Sequence, residues 1–139
     1  MLLIEDNALD LELTQRALRA ANFTHSVKVL RDGAEALDYL LGNGDEGSQS
    51  ERVNPKLILL DLKLPKVSGL EVLERLKADS RTRAIPVVAV TSSREESDTE
   101  RAYALGANSY IVKPMEFEKF VETIAMAVSY WLLVNEPPR

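Results

Sequence analysis

The sequence predicts an α/β domain built on a five-stranded parallel sheet. Two observations lead there. Five short apolar runs alternate with five longer segments whose apolar residues recur at helical spacing. Three of the runs are almost unbroken Leu, Ile and Val, as in strands covered on both faces. Right-handed crossovers would place helices on both sides of such a sheet.

Leu2–Ile4 is the first strand. Asn7 is a helix N-cap, and Leu9, Leu13, Ala17 and Ala20 mark the face that follows it, with Leu11 and Leu18 on another side. Val27–Leu30 is the second strand. Gly33–Leu41 is a helix carrying Ala36, Leu37, Leu40 and Leu41, stopped by Gly42. The polar stretch Gly42–Pro55 reads as a connection, not as a domain boundary. Leu57–Leu60 is the third strand, and Ser68–Asp79 the helix after it, with Leu70, Val72, Leu73 and Leu76 apolar. Val87–Val90 leads to a mostly charged helix, Ser93–Leu105, ending at Gly106. Tyr110–Val112 is the last strand. Phe117, Phe120, Val121, Ile124, Val128 and Trp131 then form the clearest helical stripe in the chain. The expected organisation is one domain over 1–131 and a tail over 132–139.

Composition removes several function classes. The chain has 139 residues, with 17 Lys and Arg against 22 Asp and Glu, a net charge of −5. An acidic protein makes a poor nucleic-acid surface. There is no Cys, so no disulfide, thiolate metal site or thiol nucleophile. The single His25, expected in a loop, cannot build a polyhistidine metal site. No apolar run has the roughly 20 residues of a membrane span, and Glu5 interrupts the apolar start before a signal peptide could form. A soluble cytoplasmic domain is expected.

In open parallel sheets ligands bind beyond the carboxyl ends of the strands. Those ends carry Glu5 and Asp6 after the first strand, Asp61 after the third, Thr91, Ser92 and Ser93 after the fourth, and Lys113 and Pro114 after the fifth. Three carboxylates crowded at one edge repel one another unless a cation joins them. Oxygen donors without His or Cys suit a hard ion, Mg²⁺ before Zn²⁺. Lys113 and Thr91 would face an incoming anion, one as a point charge and one as a hydroxyl donor. The set fits phosphoryl transfer with a carboxylate nucleophile.

Glu5-Asp6, the segment DLKLPKVSG starting at Asp61, Thr91-Ser92 and AYALGANSYIVKP ending at Lys113-Pro114 together resemble the receiver domain of two-component response regulators. The resemblance spans essentially the whole chain. It implies a flavodoxin-like fold with strand order 2-1-3-4-5. It implies that Asp61 is the phosphoacceptor, served by the histidine of a sensor kinase. Asp6, Asp61 and the main-chain carbonyl of Lys63 would hold Mg²⁺, with Glu5 acting through metal-bound water. Thr91, with Ser92 beside it, and Lys113 would contact the phosphoryl oxygens. Thr91 and Tyr110 would form the switch, and the Lys113–Pro114 peptide would be cis. Lys63 and Ser93 would flank the hydrolytic water and tune the phosphate lifetime. The family pattern has Asp-Asp more often than Glu-Asp at the acidic pair.

The chain ends soon after its fifth helix, so a single-domain regulator is expected. The long loop before the third strand and the ending Tyr130-Trp131-Leu132-Leu133-Val134 are similar to the small regulators paired with cyanobacterial-type phytochrome kinases. That ending is either a homodimer contact, together with the face of the fourth helix, fifth strand and fifth helix, or it folds back on the domain. A histidine phosphotransfer protein is a further candidate partner. Two rivals remain: an aspartyl-nucleophile phosphatase of the haloacid dehalogenase type, which wants an acid where Lys63 stands, and a docking scaffold that never gains phosphate. A flavin site would need an anion-binding loop where Glu5-Asp6 stands.

Overall fold

The computed structural model describes residues 1–23, 26–42 and 54–136. Thr24, His25, residues 43–53 (most of the polar stretch Gly42–Pro55) and residues 137–139 lie outside the described residues. Strands β1 (Leu2–Ile4), β2 (Lys28–Leu30), β3 (Ile58–Leu60), β4 (Val87–Thr91) and β5 (Ser109–Val112) alternate with helices α1 (Ala8–Ala20), α2 (Gly33–Leu41), α3 (Gly69–Ala78), α4 (Glu96–Ala104) and α5 (Phe117–Ser129). All pairings are parallel and the order is β2-β1-β3-β4-β5, the flavodoxin-like arrangement.

Strand periodicity divides the core in two. Leu2, Ile4, Ile58, Leu60 and Val87 point to one face, against Leu37 of α2 and Val72, Leu73 and Leu76 of α3. Leu3, Leu57, Leu59, Val88 and Val90 point to the other, against Leu13 and Ala17 of α1 and Phe120, Ile124 and Val128 of α5. Nearly all are fully buried, each such side chain contributing about 1.5–3 kcal/mol. β5 is only half-buried along its length, as an edge strand is.

Local chemistry sets the helix starts. Asn7, Asp32 and Ser68 each accept a hydrogen bond from a backbone N–H in the first turn of α1, α2 and α3. Gly42 closes α2 at φ 67°, a conformation that suits glycine.

Three expectations shift. The buried side of α1 is Leu13, Thr14, Ala17 and Leu18, while Leu9 and Ala20 are exposed. Packing between the sheet and α5 selects that face from two that the leucine spacing allows. α4 begins at Glu96, not Ser93, because the Ser93 hydroxyl turns to Asp98 and to the Glu95 N–H and holds residues 93–95 as a loop. The apolar ending continues α5 as one π-helical turn, Tyr130–Val134, closed by the Asn135 N–H on the Tyr130 carbonyl at 2.7 Å. Trp131 and Leu132 fold back on the α1–α5 side of the core, whereas Tyr130, Leu133 and Val134 stay exposed.

Candidate phosphoacceptor site

The sheet order places the site. From β1 the chain crosses to β2 on one side, and from β2 it crosses back past β1 to β3 on the other, so the carboxyl ends of β1 and β3 flank a crevice. Parallel pairing then aligns the residues just past the strands. The Asp61 N–H donates to the Ile4 carbonyl at 3.0 Å, and the Lys113 N–H to the Thr91 carbonyl at 2.7 Å. α3 must pass close behind Asp61. A Cβ on Gly69 would strike the Asp61 carbonyl oxygen and the Leu62 Cα, so only glycine fits there.

Glu5, Asp6 and Asp61 converge, each offering a carboxylate oxygen within 4.8 Å of the others. Glu5 and Asp61 are buried and Asp6 is exposed. Lys113 reaches into this group. Its Nζ donates to Asp10 Oδ2 at 2.6 Å, Glu5 Oε1 at 2.7 Å and Asp61 Oδ2 at 3.1 Å. The second oxygen of each buried acid is also held: Asp61 Oδ1 accepts from the Lys63 N–H at 3.1 Å and Glu5 Oε2 from the Asn7 N–H at 3.2 Å. Burial first, and then the neighbouring Asp61 carboxylate, push Glu5 up to about 7, with Lys113 pulling the other way. Burial opposes the charge of Lys113, but the bonds to Asp10 and Glu5 and the field of Asp61 overcome it and raise its pKa. The donor set is all hard oxygen, fit for a divalent cation such as Mg²⁺ and unfit for a soft one.

Asp10 is the residue that sequence reasoning missed. It stands in the first turn of α1, where an acid ordinarily complements the helix dipole. The signal was its place four residues after Asp6: a helix that starts straight after the strand end brings its first turn back over the site.

The remaining expected residues lie on the β4 and β5 side. Thr91 is fully buried, and its Oγ1 accepts from the Ser93 N–H at 3.3 Å. Tyr110 donates from its hydroxyl to the Ser93 carbonyl at 3.1 Å. Ser92 is exposed beside them. Ser93, expected beside the hydrolytic water, is buried, and its hydroxyl donates to Asp98 at 2.6 Å. Lys63 is exposed next to Asp61. The Lys113–Pro114 bond is trans, not cis as expected, trans being the lower-energy isomer by about 0.5–1 kcal/mol. Among the described residues no helix is long and apolar enough to cross a membrane.

Comparison with known proteins agrees with this geometry. The family model of the response regulator receiver domain matches residues 1–125. The chain is similar to the probable methanogenesis regulatory protein FilR2 of Methanothrix harundinacea, 44% identical over 99% of this chain and 86% of that protein. It is similar to the response regulator Rcp1 of Synechocystis, 36% identical over 95% of this chain and 88% of Rcp1. The crystal structure of Mn²⁺-bound Rcp1 superposes with a TM-score of 0.88, covering 99% of this chain and 97% of that one at 35% identity. That of the phosphorylated cyanobacterial phytochrome response regulator RcpA gives 0.89, covering 99% and 96% at 37% identity. The bacteriophytochrome response regulator RtBRR is 53% identical with a TM-score of 0.74, covering 99% of this chain and 82% of that one. Strand order, acidic crevice and family match converge, and the chain belongs to the response regulator receiver domain family.

Proposed function

We propose that this receiver domain works as a stand-alone response regulator that takes a phosphoryl group on Asp61 from a sensor histidine kinase. The observation that supports this most is the setting of Asp61. One of its oxygens lies on the Lys113 ammonium and the other on the Lys63 amide, at the edge of a carboxylate group that suits a hard cation. Asp6, Asp61 and the Lys63 main-chain carbonyl would hold Mg²⁺, with Glu5 reaching it through water. The ion supplies charge neutralisation for transfer between anionic groups.

An Asp61 oxygen attacks the phosphorus of the kinase phosphohistidine in line. A P–O bond forms and the P–N bond breaks, its electron pair staying on the imidazole nitrogen; the phosphorylated ring enters protonated on its other nitrogen and so leaves as neutral imidazole. Lys113 stabilises the charge on the transferred oxygens. In the reverse half, water attacks phosphorus, the acyl P–O bond breaks, and inorganic phosphate leaves with Asp61 restored. Lys63 stands where it can tune that step. Beyond this self-modification the domain is proposed to have no substrate.

The switch runs through the Ser93 peptide. Its N–H is held by Thr91 and its carbonyl by Tyr110. Drawing the Thr91 hydroxyl, with Ser92, toward a phosphoryl oxygen removes the acceptor from Ser93 and loosens the Tyr110 bond. The α4–β5–α5 face then changes shape, a population shift driven by contacts of the phosphorylated form alone.

The names of RcpA and RtBRR favour a phytochrome kinase as partner. Exposed Met126, Tyr130, Leu133 and Val134 favour a second copy of the chain along α5 and the closing turn.

The test is acetyl phosphate with Mg²⁺, followed by intact mass. One phosphoryl group should add to the wild type and none to Asp61→Asn; labelling that survives the substitution refutes the assignment. Turnover of small phosphate esters would favour the phosphatase reading instead.

A further inference from the structure

We propose that Asp10 is a positioning residue that competes with the phosphoryl group for the Lys113 ammonium and so holds the domain in its unphosphorylated form. The inference rests on the reading that Asp61 receives the phosphoryl group.

An ammonium has three N–H donors. Lys113 uses all three, on Asp10, Glu5 and Asp61. The bond to Asp10 is the shortest, at 2.6 Å, and the bond to Asp61 the longest, at 3.1 Å. Esterifying Asp61 frees the longest of these bonds, and a phosphoryl oxygen that takes the ammonium also draws it off one of the two remaining acceptors. Glu5 is the more firmly held of the other two. Its side chain is 5% exposed and its second oxygen is bound by the Asn7 N–H, so losing Lys113 would leave a buried acid short of a partner. The Asp10 side chain is 20% exposed and water can replace the lysine there. Asp10 is therefore the acceptor that yields.

A contact present only before phosphorylation stabilises that state. Because α1 carries Asp10 and β5 carries Lys113, the bond also ties α1 to the fifth strand until the phosphoryl group arrives. Asp10→Asn keeps size and shape and removes the charge. It should release Lys113 and make the phosphorylated form easier to reach.

The experiment measures beryllofluoride affinity, as a phosphoryl mimic, in the presence of Mg²⁺ for wild type and Asp10→Asn. About tenfold tighter binding is expected, the equivalent of about 1.4 kcal/mol for one charge-assisted bond. The gain should persist at about 1 M salt, where charge fields fade within about 3 Å. The Lys113 ammonium signal in ¹⁵N–¹H spectra, assigned by its loss in Lys113→Met, reports the contact directly. Its protons should exchange with water faster in Asp10→Asn without any ligand, a change that altered stability alone would not produce. Equal or weaker beryllofluoride binding, a gain that vanishes at high salt, or an unaltered lysine signal would each overturn the proposal. Wild type that binds no beryllofluoride would overturn the Asp61 reading and the competition with it; an unaltered lysine signal beside normal wild-type binding would overturn the Asp10 role alone.

Discussion

The hydroxyl of Tyr110 donates to the main-chain carbonyl of Ser93 at 3.1 Å, across the gap between β5 and the loop that follows β4. The same peptide unit is gripped from the other side, where the Ser93 N–H meets Thr91 Oγ1 at 3.3 Å. One loop residue thus joins the buried Thr91 to the half-buried Tyr110, whose ring centroid lies 6.5 Å from that of Tyr103. The Ser93 hydroxyl ties this loop to α4 through Asp98 and the Glu95 N–H, and α4 itself buries only Ala102. An element with so few buried contacts moves at small cost.

Tyr110→Phe removes that bond and keeps the ring. A net hydrogen bond contributes about 0.5–1.5 kcal/mol, so stability should fall by about that much or less. The larger effect is local. Amide exchange at residues 93–98 should quicken while the protection of β1, β3 and β4 stays as in the wild type. Uniform quickening throughout the sheet would show that the bond serves the whole fold and not the loop.

Gly69→Ala tests how tightly α3 packs behind Asp61. The new methyl would press on the Asp61 carbonyl and the Leu62 Cα, both backbone atoms fixed in β3 and its exit. Overpacking of this kind costs about 1–3 kcal/mol, read as a lower urea midpoint. Relief by moving Asp61 outward should also weaken divalent-cation binding. A variant with unchanged midpoint and unchanged metal titration would mean that the close approach has slack.

These two positions show what a sequence reveals and what it conceals. The strands were legible because β1, β3 and β4 are buried on both faces and read as unbroken apolar runs, and the four strand ends with chemistry followed at once. The face of α1 was not, since Leu9, Leu11, Leu13 and Leu18 offer two stripes and only packing against α5 chooses between them. Asp10 was hidden because an acid in a first helical turn has an ordinary explanation. Ser93 misled for the opposite reason: a serine ahead of a charged stretch reads as a helix start or a solvent-facing group, whereas its hydroxyl is held by Asp98. The ending Tyr130–Val134 was seen as one apolar unit, but a helical turn splits it, with Trp131 and Leu132 inward and Leu133 and Val134 outward.

Metal removal has a signed consequence at Asp6. Its exposed carboxylate adds to the negative group at Glu5 and Asp61 without contributing to the Lys113 bonds. Two charges about 4 Å apart repel by about 1 kcal/mol in water and about 4 kcal/mol at an effective dielectric of 20. In EDTA, Asp6→Asn should therefore melt as high as the wild type or about 2–4 °C higher. With Mg²⁺ at about 100 times its dissociation constant the wild type should gain about 2.7 kcal/mol, and the variant little. Equal Mg²⁺ stabilisation of both proteins would remove Asp6 from the metal site.

Glu5 should give the metal-free protein an unusual dependence on pH. Burial and the Asp61 carboxylate raise Glu5 from 4.5 to about 7 in the folded state. Below 4.5 the group is protonated in both states. Between 4.5 and about 7 the unfolded chain has lost this proton and the folded chain keeps it, so the native form binds more protons and stability falls as pH rises. Above that window Glu5 is ionised in both states and adds no further slope. Urea midpoints in EDTA across this range should decline in the wild type, while Glu5→Gln, which cannot ionise, should decline less. The difference between the two curves isolates Glu5. Parallel curves would place the Glu5 carboxyl in an ordinary, water-like setting and contradict its burial beside Asp61.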